Sequence, residues 1–230
     1  MKHIVTFNYN YRFNISSICK RRRIVIYMIR KFLLQYHLEL YTAVVLITVI
    51  GGILNLYSLS LVREMLLVIM GIGLFHEWEE KRIPGGFFET VGVVWGWDID
   101  NVDMRKPGRW VVYAWIIIIF IPLIFDNVIG LALAPMFLGV FELLIHSMGR
   151  FITKTKRIYF PGIITAWIMG IISICCIAVL VLNHMISTAD VLIGVVFLVL
   201  VFVCLMNLVQ MSAGSSLRRM IGIMKKRMRE

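Results

Sequence analysis

Uncharged apolar runs of about eighteen residues or more recur along this chain, and no other feature limits its fold so tightly. A bilayer core of ~30 Å needs about 20 helical residues at 1.5 Å each. Lipid offers no partner for backbone N–H and C=O groups, so such runs must be helices or strands of a closed barrel. The runs are continuous rather than alternating, which excludes a barrel. Composition agrees: 60% of the 230 residues are hydrophobic and only 16% are charged. A water-soluble domain of this length carries more charge. The expected fold is all-α, a polytopic membrane bundle of about six transmembrane helices.

The six apolar segments run Leu40–Val62, Met65–Phe75 with a polar end His76–Glu80, Trp110–Phe125, Asn127–Ser147, Phe160–Asn183 and Val191–Met211. Pro161 reads as a first-turn proline of the fifth. Residues 1–39 form a basic polar N-terminal segment, 40–211 the membrane domain and 212–230 a basic tail. The net charge is +11, and the positive residues flank apolar runs. That is topological charge, with no nucleic-acid module in view. Of the 24 Lys and Arg residues, this layout leaves only Arg63 on the far side. The expectation is therefore a multi-pass cell-membrane protein with both termini cytoplasmic. The first apolar run starts late and has no clear small-residue cleavage site, so no cleavable signal peptide is expected. Residues 1–27 are poorly periodic, and no fold is expected for them. The chain from Met28 onward reads as a complete membrane protein, which makes Met28 an expected alternative start, to be tested by intact mass. Cys175, Cys176 and Cys204 lie in apolar runs and read as packing residues, with no disulfide framework suggested.

Ionisable residues at membrane depth cost about 2.5–3.5 kcal/mol each on insertion scales, so each needs a reason. Met65–Phe75 is too short to cross alone, and its helix must carry part of His76-Glu77-Trp78-Glu79-Glu80 below the headgroups. His76, Glu79 and Glu80 share one helix face, while Glu77 points elsewhere. Glu142 and His146, four residues apart, share a face of another helix at the same end. His184 falls at the opposite face and reads as a loop histidine. The acidic loop Asp98–Asp103 lacks the glycine and twelfth-position glutamate of an EF-hand. Trp78, Trp95, Trp97, Trp110 and Trp115 read as interfacial residues, and Pro122 and Pro135 as helix kinks or boundaries.

Two imidazoles with carboxylates on packed helices suit a divalent metal such as Zn, Fe or Mn. The same residues also suit a hydrogen-bonded network that fixes helix register, or carboxylates solvated in the headgroup layer. Sequence leaves these three open.

The segment His76–Phe87, HEWEEKRIPGGF, resembles the signature of the HXXEE membrane protein family. His76, Glu79 and Glu80 match its histidine and glutamate pair, and Pro84–Phe87 its Pro-Gly-Gly-Phe turn. His146, Arg150, Arg157, Tyr159, Pro161, Gly162 and Thr165 follow in the order of its later block. The resemblance covers roughly residues 65–210 and departs at Glu142, where an amide is expected. It implies a multi-pass membrane protein in which the two blocks form one site, and it implies no reaction. CAAX-type intramembrane proteases also pair glutamates with histidines. Here Pro84 replaces the arginine of their first motif and Glu142 the phenylalanine of their second, so the likeness is analogy only.

For an enzyme, the expectation is metal-assisted chemistry on a lipid or lipid-linked substrate. His76, Glu80, Glu142 and His146 are then the candidate metal ligands, Glu79 the base, and Tyr159 or Arg150 the stabiliser of a developing anion. The alternative is a non-enzymatic membrane component, such as a permease partner, regulator or immunity-like protein. A solute transporter is weaker, since no broken-helix inverted repeat is visible.

Overall fold

The computed structural model describes residues 15–54, 59–153 and 159–227, with the side chains of 15–23, 150 and 152 left aside. Among the described residues the fold is all-α. The helices are α1 (Ile15–Gln35), α2 (His37–Ile53), α3 (Leu61–Lys81), α4 (Phe87–Trp95), α5 (Arg105–Ile124), α6 (Ile129–Thr153), α7 (Ile163–Leu182), α8 (Thr188–Ser212) and α9 (Leu217–Arg227). The chain divides into two units, residues 1–35 and 36–230.

The first unit contributes α1. No glycine or proline falls between Ile15 and Gln35, and straight-chain and leucine residues favour the helix. Residues 15–27, for which the pattern gave no fold, are therefore helical.

The second unit carries α2 to α9. Helices α5, α6, α7 and α8 are long and apolar enough to cross a membrane, and a fifth is reached if residues 24–35 and α2 count as one interrupted span. The most apolar window of α8 has a mean hydropathy of 3.0, yet only 6% of it is buried. A continuous exposed surface of that kind belongs against lipid. Helix α3 has 21 residues, ~31 Å of helix. The carboxylates of its last two turns point inward: Glu77, Glu79 and Glu80 are all buried.

Local chemistry sets the boundaries. The first apolar segment, expected to run unbroken to Val62, ends as helix α2 at Ile53. The next begins at Leu61 because the Ser60 hydroxyl accepts the Arg63 N–H and caps it. Asn55–Ser58 lie outside the described residues. Ser187 and Asp190 form a reciprocal capping box on α8. Pro161 sits just before the cap of α7 rather than in its first turn; the cap is Gly162, at φ +88°. Pro122 and Pro135 both lie inside helices, α5 and α6. Helices α4 and α9 were not expected from hydropathy.

Contacts at the ends fix the relative direction of the helices. At one end Arg82 meets Glu39 at 2.6 Å, and the Trp97 indole N–H donates to Gln210 Oε1 at 2.8 Å. At the other, Ser60 and Arg63 meet Asp126 at 2.5 and 2.9 Å, and Gly130 N–H donates to Asp190 at 3.0 Å. Successive long helices α2, α3, α5, α6, α7 and α8 thus run in alternating directions. Helix α3 is flanked by α2, α4, α5, α6 and α7, and α6 packs most extensively on α7 and α8. Close approach needs small residues: a Cβ on Gly170 would stand 2.5 Å from the Leu143 side chain.

Candidate metal centre

The last two turns of α3 and the late turns of α6 bring their polar faces together. The i, i+4 spacing aims His76 and Glu80 from α3, and Glu142 and His146 from α6, at one point. Each offers a ligand atom, and the four atoms lie within 4.8 Å of one another. His76 and His146 are fully buried, Glu80 is 4% exposed, and the Glu142 side chain is 19% exposed.

The four groups meet at short range. His76 Nε2 stands 3.5 Å from Glu80 Oε1 and 3.8 Å from Glu142 Oε2. His146 Nε2 stands 3.1 Å from Glu80 Oε1 and 3.4 Å from Glu142 Oε2. A tetrahedral ion with bonds of about 2.0–2.2 Å spaces its ligand atoms about 3.3–3.6 Å apart. Although one contact is as short as 3.1 Å, Nε2 of neither imidazole is in hydrogen-bond geometry with any group. Both Nε2 atoms meet the two carboxylates at ion-pair distance, and the four groups are geometrically able to coordinate an ion.

Glu79 does not join the four. Its carboxylate sits at the start of α7 and accepts four hydrogen bonds. The donors are Ile164 N–H at 3.2 Å, Thr165 N–H at 2.8 Å, the Tyr159 hydroxyl at 2.5 Å and the Thr165 hydroxyl. His76 Nδ1 lies 3.0 Å from that same Thr165 oxygen. Since the Thr165 proton goes to Glu79, the imidazole donates from Nδ1 and leaves its Nε2 lone pair for the site. A carboxylate, a hydroxyl and an imidazole in series set the tautomer. Burial, and then the Glu79 carboxylate, raise the Tyr159 phenol above its ordinary pKa, so it stays a donor.

Glu77 points to the other side of α3, where it pairs with buried Lys81. Lys81 lies over the Phe88 ring and attracts Glu142. The wall behind His146 is aromatic: Phe87 stacks on it at 5.3 Å and Phe160 meets it edge-on at 5.4 Å. Gly162 closes the remaining side, since a Cβ there would stand 2.5 Å from His146 Cε1 and 2.9 Å from Glu80 Cγ. Arg150 follows His146 by one turn on α6, but its side chain lies outside the described residues, as does Arg157. His184 is exposed in the turn between α7 and α8.

Sequence spacing therefore finds the four converging residues. Spacing alone does not find the Thr165 hydroxyl or the Phe87 ring, which enter the sequence reading only through the family resemblance, and Phe160 carries no such signal. No protein-family model, curated protein or solved structure matches this chain.

Proposed function

We propose that this chain is a six-span membrane protein of the HXXEE type that holds a divalent metal ion among His76, Glu80, Glu142 and His146. The carrying observation is that two buried imidazoles and two carboxylates each bring a ligand atom to one point, all four within 4.8 Å of one another. Two imidazoles and two carboxylates suit Zn²⁺, Fe²⁺ or Mn²⁺. The alternating helices and the basic residues gathered at the site end support α2, α3, α5, α6, α7 and α8 as the six spans, with both termini cytoplasmic.

The proposed chemistry is hydrolysis of a lipid or lipid-linked substrate. A metal held here would take water only as a fifth ligand, or in the place of Glu142; water so bound would have its pKa lowered toward ~7. The protein's own groups do the rest. Glu142 is the most exposed of the four. Lys81 lies where negative charge would be balanced. Glu79 and Thr165 position His76; four donors already occupy Glu79, so the role of a free base expected from sequence passes to an orienting one. Tyr159 completes that arrangement, and Arg150 remains a candidate for holding an anionic leaving group.

Elemental analysis of detergent-purified protein, beside the His76→Ala/His146→Ala variant, tests the reading. Near-stoichiometric metal in the parent, lost in a folded variant, is the expected result. No metal in either, after growth with added metals, would assign the cluster to a register-fixing network in a non-enzymatic membrane component.

A further inference from the structure

Behind the aromatic wall of the site lies a second feature that metal binding does not use. A half-open pocket of about 290 Å³ lies between α4, α6, α8 and α9. Phe87 and Phe160, the two rings packed on His146, form its inner wall, and Met206, Met220 and Met224 are among its outer lining. The volume is enough for several waters, but water needs two to four polar partners apiece. The lining offers almost none: the Thr153 hydroxyl, its nearest candidate, is already spent on Gly149 O at 2.8 Å. A cavity with such walls stays dry or takes an apolar guest.

Helix α9 indicates what that guest is attached to. It turns Met220 inward and carries Arg218, Arg219, Lys225, Lys226 and Arg227 on its exposed face, with no acidic residue. A basic amphipathic helix of this kind lies in the headgroup layer and attracts anionic lipid. It is held at the site end by Ile223, packed so closely on Gly96 that a Cβ there would come within 2.4 Å, and by Arg227, which donates to Val93 O at 3.1 Å. The methionines give the lining the adaptable surface that suits a flexible chain.

We propose that this cavity takes one acyl chain of an anionic membrane lipid, with the headgroup on the basic face of α9. The proposal deepens the reading above by naming the charge class and the chain-binding wall of the lipid; it rests on that reading for the membrane but not for the metal.

The test uses full-length protein in vesicles containing a trace of phosphatidylglycerol with a photoactivatable acyl chain, or of phosphatidylcholine with the same chain, followed by peptide mapping. Label from the anionic lipid should concentrate on peptides holding Phe160, Met206 and Met220, about fivefold or more above the zwitterionic one. Met206→Trp, which fills the cavity, should remove that label several-fold while leaving label on the outer face of α8 around Val196. The surface variant Arg218→Glu/Arg219→Glu should bring the two lipids to parity. Equal labelling by both lipids in the parent, or cavity label unchanged by Met206→Trp, would overturn the proposal. Labelling retained in the His76→Ala/His146→Ala variant is expected. If no metal is found and the cavity label stands, the metal reading alone has failed.

Discussion

The hydroxyl of Thr165 lies between His76 Nδ1, 3.0 Å away, and the Glu79 carboxylate. It transmits the orientation of a carboxylate at the start of α7 to an imidazole on α3. Partners of this kind around a metal ligand are worth about 10–100-fold in affinity. If the proposed metal binds, Thr165→Val should weaken it by that order in a chelator-competition titration, whereas Thr165→Ser should bind as the parent does. A valine variant with parental affinity would remove Thr165 from the site. Gly162 acts at the same scale by having no side chain. Its φ of +88° and the 2.5 Å that a Cβ would leave to His146 both exclude larger residues.

At the scale of elements, α3 shows how a long helix can carry charge into a bundle. Its last-turn carboxylates Glu77, Glu79 and Glu80 are buried in the bundle, while Val68, Phe75 and, in the first turn, Glu64 are exposed. The other instructive element is the α8 C-terminus. Gln210 is fully buried and accepts the Trp97 indole N–H at 2.8 Å, tying α8 to the loop after α4. Gln210→Leu should leave that N–H buried without a partner and cost about 1–3 kcal/mol, read as a lowered unfolding midpoint in detergent. An unchanged midpoint would mean that the Trp97–Gln210 bond does not hold α8 to the loop after α4.

For the whole molecule, the far-side exception in the charge census has a physical explanation. Arg63 is paired with Asp126 at 2.9 Å, so the end opposite the site carries less unbalanced positive charge than its sequence suggests. The expected orientation can be checked by labelling with a membrane-impermeant thiol reagent, using single cysteines in a background freed of Cys19, Cys175, Cys176 and Cys204. Asp100→Cys and His184→Cys should label from opposite sides, Asp100→Cys only after the cytoplasmic face is opened. Labelling of both from one side would dismiss the six-span layout.

The membrane class was legible in the chain because lipid leaves a backbone few choices, and long uncharged runs state that choice directly. The spacing of His76 with Glu80, and of Glu142 with His146, was legible for an equally local reason, the 3.6-residue period. Neither could say that α3 and α6 touch, since helix pairing depends on packing between segments far apart in sequence. Nor could they place Glu79, whose face on α3 fits the cluster but whose carboxylate is drawn away by the free N–H groups at the start of α7. The apolar run alone likewise set α2 too long, because the break depends on a serine capping the following helix. What the tertiary structure alone decided is which polar groups meet. Periodicity gives each side chain a direction, and only packing gives it a partner.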